Sequence, residues 1–157
     1  MPPHYNPDTI GFLIVDVSRL LRAEFDRRTG AAGLGLTPAE ARTLSHVARV
    51  GPTRQATLAE RMGIEAMTLS ACLDRLEAQG YVRRVPDPSD RRAKLVDTTG
   101  AANPALDKIF AVSAAVRADM TDGLGAGKVE EFRQSLIAIR ANLLAMRPDC
   151  AKGTAAQ

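Results

Sequence analysis

The sequence predicts a mainly α-helical protein that carries one small β-hairpin. Three observations favour this fold class. Apolar residues recur every three or four positions over most of the 157 residues, which is the spacing of one helix face. Two such segments in the middle of the chain meet at a single glycine, Gly63. A short segment rich in arginine and β-branched residues follows them and is interrupted by two prolines.

The N-terminal part of the chain is expected to be an arm followed by a long helix. The first eight residues, MPPHYNPD, contain three prolines, so we expect them to be extended or disordered. A helix is predicted over 8–29 because its apolar residues form one stripe. The stripe consists of Ile10, Leu13, Ile14, Val17, Leu20 and Leu21. The glycine-rich segment 30–35 ends this helix.

A second helix is predicted to begin after Thr37. The segment TPAE combines a capping threonine, a proline at the first helical position and an acidic residue three positions after the cap. This helix is expected to run to about Arg49 and to stop at Gly51 and Pro52. Thr57 is then a plausible cap for the next helix.

The segment 57–80 is predicted to form two short helices joined by a tight turn. Leu58 and Met62 share one face of the first helix, and Gly63 ends it because glycine readily adopts the left-handed conformation. Glu65 opens the second helix, where a negative charge suits the positive end of the helix dipole.

The second of these helices, which ends at Gly80, has an apolar inner face and a mixed outer face. The inner residues are Ala66, Leu69, Cys72, Leu73 and Leu76. At about 100° per residue, the opposite side carries Met67, Ala71, Asp74 and Ala78, flanked by Thr68, Ser70 and Arg75. A helix presented in this way fits the major groove of DNA.

The hairpin that follows is called the wing below and spans 81–98. Its strands are predicted at 81–85 and 94–98, with a turn at 86–90, because prolines cannot donate to a strand ladder. From Tyr81 to Lys94 there are five basic residues and only two acidic ones, Asp87 and Asp90, a net charge of +3. The basic residues are Arg83, Arg84, Arg91, Arg92 and Lys94. The wing therefore carries positive charge that could reach the DNA backbone or minor groove.

Two further helices are predicted over about 103–122 and 126–146. Apolar residues of the last helix are spaced at three and four positions, the pattern of a helix that packs along a partner helix. They are Val129, Phe132, Leu136, Ile139, Leu143 and Met146. Because Ile137 and Leu144 widen this stripe, we expect surface shared with a second chain, and hence a homodimer.

Composition limits the class of protein. With 45% hydrophobic and 25% charged residues, the chain resembles an ordinary soluble domain with helical extensions. The net charge of +3 permits binding to nucleic acid without requiring it. No apolar segment is long enough to span a membrane and no signal peptide opens the chain, so we expect a cytoplasmic protein without a membrane partner.

Motifs for catalysis and for cofactors are missing from the sequence. There is no phosphate-binding loop, no nucleophile motif and no metal-ligand spacing among Cys72, Cys150 and the two histidines. We therefore expect no enzyme activity, no cofactor and no metal. Cys72 is interpreted as a small hydrophobic residue, and the sequence leaves open a redox role for either cysteine.

The segment 58–99 resembles the winged helix-turn-helix domain of MarR/SlyA-type bacterial transcriptional regulators. The resemblance rests on the helix end LDRLEAQG and on the wing sequence DPSDRR, and it covers about 36–146. It implies that residues 1–157 form a single MarR-like chain, with a winged helix-turn-helix DNA-binding domain over 36–100. It also implies N- and C-terminal dimerisation helices over 8–35 and 101–146. Members are typically homodimeric repressors that bind palindromic double-stranded operators and are released by small, often phenolic, molecules.

The resemblance also implies roles for individual residues. Asp90 would orient Arg92 into the minor groove, and Arg75 would contact the DNA backbone. Ala71 occupies a position where members often carry arginine, so a bidentate guanine contact is impossible there, and reading would depend on neighbouring residues and DNA shape. The expected DNA-binding residues are Met67, Thr68, Ser70, Ala71, Arg75, Asp90, Arg91, Arg92 and Lys94.

An effector pocket is implied between the first, second and fifth helices. Its candidate residues are Phe12, Asp16, Arg19, His46 and Phe110. Arg19 could pair with a carboxylate and His46 could bond a phenol, which suggests a small aromatic acid or phenol as effector. The alternative is that Arg19 is a solvated helix residue and His46 an ordinary boundary residue, which is the common case for charged residues on helices.

Two functions stay open on the sequence. One is a ligand-responsive dimeric regulator that binds specific DNA sequences. The other is a winged-helix module that binds protein and has lost sequence-specific reading, which Ala71 permits. The basic wing favours the first, because a protein-binding module has no need of it.

Overall fold

The computed structural model describes residue 6 and residues 8–147. Most of the expected N-terminal arm, and Cys150, lie outside the described residues. In chain order the elements are α1 (Ile10–Ala31), α2 (Pro38–Val50), β1 (Thr53–Arg54), α3 (Gln55–Met62), α4 (Ala66–Ala78), β2 (Val82–Asp87), β3 (Asp90–Thr98), a 3₁₀ turn (Gly100–Ala102), α5 (Asn103–Met120) and α6 (Ala126–Ala145). The predicted class, mainly α with a small β-hairpin wing, is confirmed.

The start of α2 has the predicted cap. The Thr37 hydroxyl accepts a hydrogen bond from the Glu40 amide at 3.2 Å, and the Glu40 carboxylate accepts one from the Thr37 amide at 2.9 Å. Pro38 occupies the first helical position. Since the first amides of a helix have no partner within it, this reciprocal pair fixes where α2 begins.

The predicted cap at Thr57 is wrong. Helix α3 begins at Gln55, with Arg54 in the cap position, so Thr57 lies inside the helix. The start is earlier because residues 53–54 form β1, which pairs with Val96 and Leu95 of β3 and delivers the chain directly into α3. A two-residue strand is too short to show an alternating pattern in the sequence.

The sheet has the order β1-β3-β2, and both pairs of strands are antiparallel. The predicted turn at 86–90 is too long, because β2 continues to Asp87 and β3 starts at Asp90. Pro86 pairs in register with Lys94, and the ladder is irregular just after it. Strand β2 lies at the edge of the sheet, where a proline without an N–H is tolerated.

The chain divides into two compact units, with the boundary between Arg117 and Ala118. The core of the first unit is formed by α2, α3, α4, the wing and α5. Its largest fully buried hydrophobic side chains are Leu44, Leu58, Leu69, Leu73, Leu76, Ile109, Val47 and Val96. The leucines and Cys72 of the predicted inner face of α4 are therefore in the core, whereas Ala66 is exposed.

Apolar side chains on α1 and on α6 stay largely uncovered. On α1, Phe12 is 63% exposed and Leu20 is 56% exposed. Within the second unit α6 buries no residue, and Phe132, Leu136 and Leu143 are exposed. No helix in the described part of the chain has the length and apolar character needed to cross a membrane.

Candidate nucleic-acid interface

The turn between α3 and α4 sets the direction of α4. Gly63 adopts the left-handed conformation with φ of 63°, and its amide bonds to the Glu60 carbonyl at 3.1 Å. The Ile64 amide reaches back to the Ala59 carbonyl, and its half-buried side chain packs against the core. Backbone bonds and the apolar side chain of Ile64 thus set the direction in which α4 leaves the turn.

The outer face of α4 protrudes from the first unit. Met67 is 84% exposed, Thr68 and Ala71 are exposed, and Ser70 is half-buried. An exposed helix of this diameter fits the major groove. The four predicted base-reading residues therefore share an accessible surface.

Arg75 is tied to α2 by an ion pair with Glu40. Burial alone would raise the pKa of Glu40, but hydrogen bonds from Thr37 and Arg75 outweigh it, so this pKa lies below its ordinary value. Glu40 thus caps α2 and holds an arginine of α4. The Arg75 side chain remains 55% exposed, so its guanidinium is accessible to a phosphate.

Two of the five basic residues of the wing are used within the fold. Arg83 pairs with Asp97 across the hairpin at 3.2 Å. Arg84 pairs with Asp74 at 2.6 Å and with Glu77, and its side chain is largely buried. Both carboxylates lie on α4, so Arg84 joins α4 to β2.

The three other basic residues of the wing, Arg91, Arg92 and Lys94, are exposed near its tip. No carboxylate among the described residues lies within the 4.0 Å of an ion pair from their side-chain nitrogens. Asp90 accepts a hydrogen bond from the backbone amide of Arg92 at 3.0 Å. Asp90 therefore shapes the backbone at Arg92, and the positive charge of the tip is uncompensated.

Sequence reasoning missed the clamp beneath this tip, which is formed by Arg54 and Asp87. The Arg54 Nε donates to Asp87 Oδ2 at 2.7 Å, and the other Asp87 oxygen accepts from the Ser89 amide and hydroxyl. The Ser89 hydroxyl and amide, with the Arg54 guanidinium, lower the pKa of Asp87 to about 2. An aspartate two residues before a serine is a signal for such a turn, but nothing in the sequence connects Arg54 to it.

The residues predicted to bind an effector are not gathered in one pocket. An open groove of about 540 Å³ runs along α1, and Arg19 is the only predicted residue that the structure places in its lining. Arg19 forms an exposed pair with Asp16 at 3.4 Å, while Phe12 and Phe110 are exposed. Arg22, which the sequence did not single out, also lines the groove.

His46 lies half-buried in a cationic region between α1 and α2. Burial and the nearby charges of Arg49, Arg42 and Arg22 lower its pKa. Arg42 is paired with Asp26, which lines the same groove as Arg22. Among the residues that the structure describes, no cluster of histidine, cysteine, aspartate or glutamate is placed to hold a metal ion.

Comparison with known proteins gives consistent matches. A sequence profile described as the MarR family matches residues 34–93. A solved structure described as transcriptional regulator PA3341 is 39% identical, covers 87% of this chain and 99% of its own, and has a TM-score of 0.73. A MarR-family regulator from Silicibacter pomeroyi is 28% identical, with 88% and 90% covered and a TM-score of 0.73. Wild-type MarR from E. coli, at 21% identity, covers 86% and 98% with a TM-score of 0.69 and is similar in fold.

Proposed function

This chain belongs to the MarR family of winged-helix, DNA-binding transcriptional regulators, and we propose that it is a homodimeric repressor released from its operator by a small aromatic acid. The observation that carries the proposal is the exposed positive charge of Arg91, Arg92 and Lys94, which no carboxylate of the described residues pairs, together with the exposed outer face of α4. Exposed cations that no carboxylate of the described residues pairs are available to neutralise DNA phosphates. A regulator of chromosomal genes acts in the cytoplasm, where we place this protein.

Base reading is assigned to the outer face of α4. Thr68 and Ser70 supply hydroxyl groups, and the exposed Met67 and Ala71 can contact a thymine methyl group. Since Ala71 offers no hydrogen bond, part of the sequence preference has to come from DNA shape, read by Arg92 in the minor groove. Arg75 is assigned to a phosphate.

We propose that a second copy of the chain covers the exposed apolar residues of α1 and those of α6. The eight large hydrophobic residues exposed on α1 are Ile10, Phe12, Leu13, Ile14, Val15, Val17, Leu20 and Leu21. A contiguous apolar surface of this kind is rare on monomeric proteins. A two-fold dimer would also present two α4 helices to the two halves of a palindrome.

The DNA-binding proposal is tested by titrating labelled duplex from upstream of the gene and a shuffled duplex of equal composition. We expect the upstream duplex to bind at least about a thousandfold more tightly. Equal affinity for both would make the protein a non-specific DNA binder. No binding of either duplex at low salt would instead favour a protein-interaction module.

The proposed effector is anionic because the α1 groove is lined by two arginines, Arg19 and Arg22, while Asp26 in the same lining is paired with Arg42. His46 lies near Arg22 and can bond a phenolic hydroxyl. Binding there would change how α1 packs against α2. In the dimer, this would move the two α4 helices away from the spacing of roughly 34 Å that successive half-sites require.

Calorimetry with salicylate and benzoate tests the effector site on wild type, Arg19→Gln and Arg22→Gln. Arg27→Gln is the matched control, since Arg27 lies on the same helix and is paired with Glu24. We expect weaker binding in the first two variants alone. Equal affinity in all four proteins would remove these arginines from the site, and no binding by wild type would remove this class of ligand.

A further inference from the structure

We propose that Arg54 is a positioning residue for the wing, which holds both aspartates of the wing turn and thereby sets Arg92 for its DNA contact. The DNA part of this inference rests on the function proposed above. Arg54 lies on β1, outside the hairpin, and the family resemblance in the sequence assigned it no role.

The contacts of Arg54 reach both ends of the wing turn. Its guanidinium lies 2.6 Å from Asp87 Oδ2, 3.8 Å from Asp90 Oδ2 and 3.5 Å from the Ser89 hydroxyl. Asp87 and Asp90 are the register partners that close the hairpin. One cation from a separate strand therefore bridges the last residue of β2 and the first residue of β3.

Electrostatics explains why a cation is needed at this place. Two like charges that face each other across a strand pair destabilise it. With Asp87 nearly buried and held ionised, Asp90 would be pushed away unless a positive charge lay beside both. The planar guanidinium of arginine suits this task, because Nε and Nη2 together hold Asp87 Oδ2 while Nη2 also faces Asp90 Oδ2. An ammonium group restores the charge but not this fixed fork of donors.

The contacts of Arg54 extend through Asp90 to Arg92, the residue proposed to contact DNA. While Asp90 Oδ2 faces Arg54, Asp90 Oδ1 accepts the hydrogen bond from the Arg92 amide. Loss of Arg54 frees the Asp90 carboxylate and with it the backbone that carries Arg92.

The test is a double-mutant cycle on one upstream duplex, with wild type, Arg54→Gln, Arg92→Ala and the double variant. We expect Arg54→Gln to weaken binding about tenfold, and the double variant to bind no more weakly than Arg92→Ala, because residues that act through one contact are not additive. Arg54→Lys should recover part of the loss, since it restores the charge without the fork. Arg27→Gln, which removes one paired arginine outside the wing, should bind as wild type.

A second readout does not use DNA. In Arg54→Gln, amide hydrogen exchange at Arg92 should become faster, and the pKa of Asp87 measured by NMR should rise from about 2 toward 3.8. Unchanged exchange at Arg92 would overturn the inference.

The outcomes separate this inference from the proposed function. If Arg92→Ala weakens binding and Arg54→Gln does not, Arg54 has no positioning role and the proposed function stands. An equal loss from Arg54→Gln in both backgrounds would show that Arg54 contacts DNA itself or acts through overall stability, which also overturns the inference. If wild type binds no duplex, the proposed function and the DNA part of this inference fail, and hydrogen exchange at the Arg92 amide alone decides whether Arg54 positions the wing.

Discussion

The basic residues of the wing differ in whether their charges are paired within the fold. Arg83 and Arg84 are paired within the fold, whereas Arg91, Arg92 and Lys94 have no carboxylate of the described chain within ion-pair distance. A count of basic residues in the sequence treats all five alike. Only the structure separates those that stabilise the wing from those available to a ligand.

This difference predicts opposite effects for two substitutions. Arg92→Ala should weaken binding to upstream DNA strongly and leave the melting temperature almost unchanged. Arg84→Ala should lower stability by roughly 1 kcal/mol, because it removes the link from β2 to two carboxylates of α4. Thermal unfolding and DNA titration of both variants give the measurement. If Arg92→Ala binds within about twofold of wild type, or roughly 0.4 kcal/mol, the wing assignment is wrong.

The lowered pKa of Asp87 predicts how the free energy of unfolding depends on pH. Its pKa in the folded protein is about 2, below the ordinary 3.8, so its ionised form stabilises the fold above pH 3.8. That contribution is lost as the pH falls from 3.8 toward 2 and the carboxylate is protonated.

Asp87→Asn should therefore melt at a lower temperature than wild type at about pH 6, and the difference should shrink as the pH approaches about 2. Glu24 and Glu130 also have a pKa of about 2, but they are present in both proteins and cancel in the comparison. A melting difference that does not change with pH would contradict the assigned role of the Asp87 charge.

Among the elements, the helices could be predicted from the sequence and the strands only in part. Apolar spacing located α1, α5 and α6, and the cap at Thr37 located the first residue of α2. Strand β1 could not be predicted, because two residues carry no periodicity. The ends of β2 and β3 were missed because Pro86 was interpreted as a break, although an edge strand tolerates it.

The candidate DNA-binding site, too, could be predicted from the sequence only in part. The outer face of α4 and the basic wing tip follow from helical periodicity and local charge, so both could be predicted from the sequence. Arg54 and Glu40 could not be predicted as partners of Asp87 and Arg75, because each pair is separated by more than thirty residues. The groove on α1 contains one predicted residue, Arg19, since a groove depends on shape that the sequence pattern does not give.

Two threonines, both predicted as helix caps, test how much a cap contributes to the stability of a helix. Thr37→Ala should destabilise the protein by roughly 1 kcal/mol, because it removes one half of the capping box of α2. Thr57→Ala should change stability by less than about 0.5 kcal/mol, because Thr57 lies within α3 and alanine is a better helix former. Urea denaturation measures both. Equal losses would mean that the cap of α2 contributes no more than an ordinary helical position.

For the whole molecule, the exposed apolar faces of α1 and α6 predict dimerisation. Leu136→Asp with Leu143→Asp places two charges on the apolar stripe of α6, where burial against a partner would be costly. We expect loss of the dimer, or of folding, and loss of operator binding. Sedimentation velocity and circular dichroism separate these results.

The matched control is Ser135→Asp with Asn142→Asp, which adds the same charges one position earlier on the helix, about 100° away. This control should remain a dimer. A folded Leu136→Asp, Leu143→Asp protein that still sediments as a dimer would place the interface elsewhere.

The most direct test of the central claim, that the uncompensated cations of the wing bind DNA, is the salt dependence of affinity. Wild type and the variant Arg91→Gln, Arg92→Gln, Lys94→Gln are titrated with the upstream duplex over a series of salt concentrations. Because each neutralised phosphate contributes about 0.9 to the slope of log affinity against log salt, the variant should show a slope shallower by roughly two to three units per subunit. Parallel slopes for the two proteins would contradict the claim.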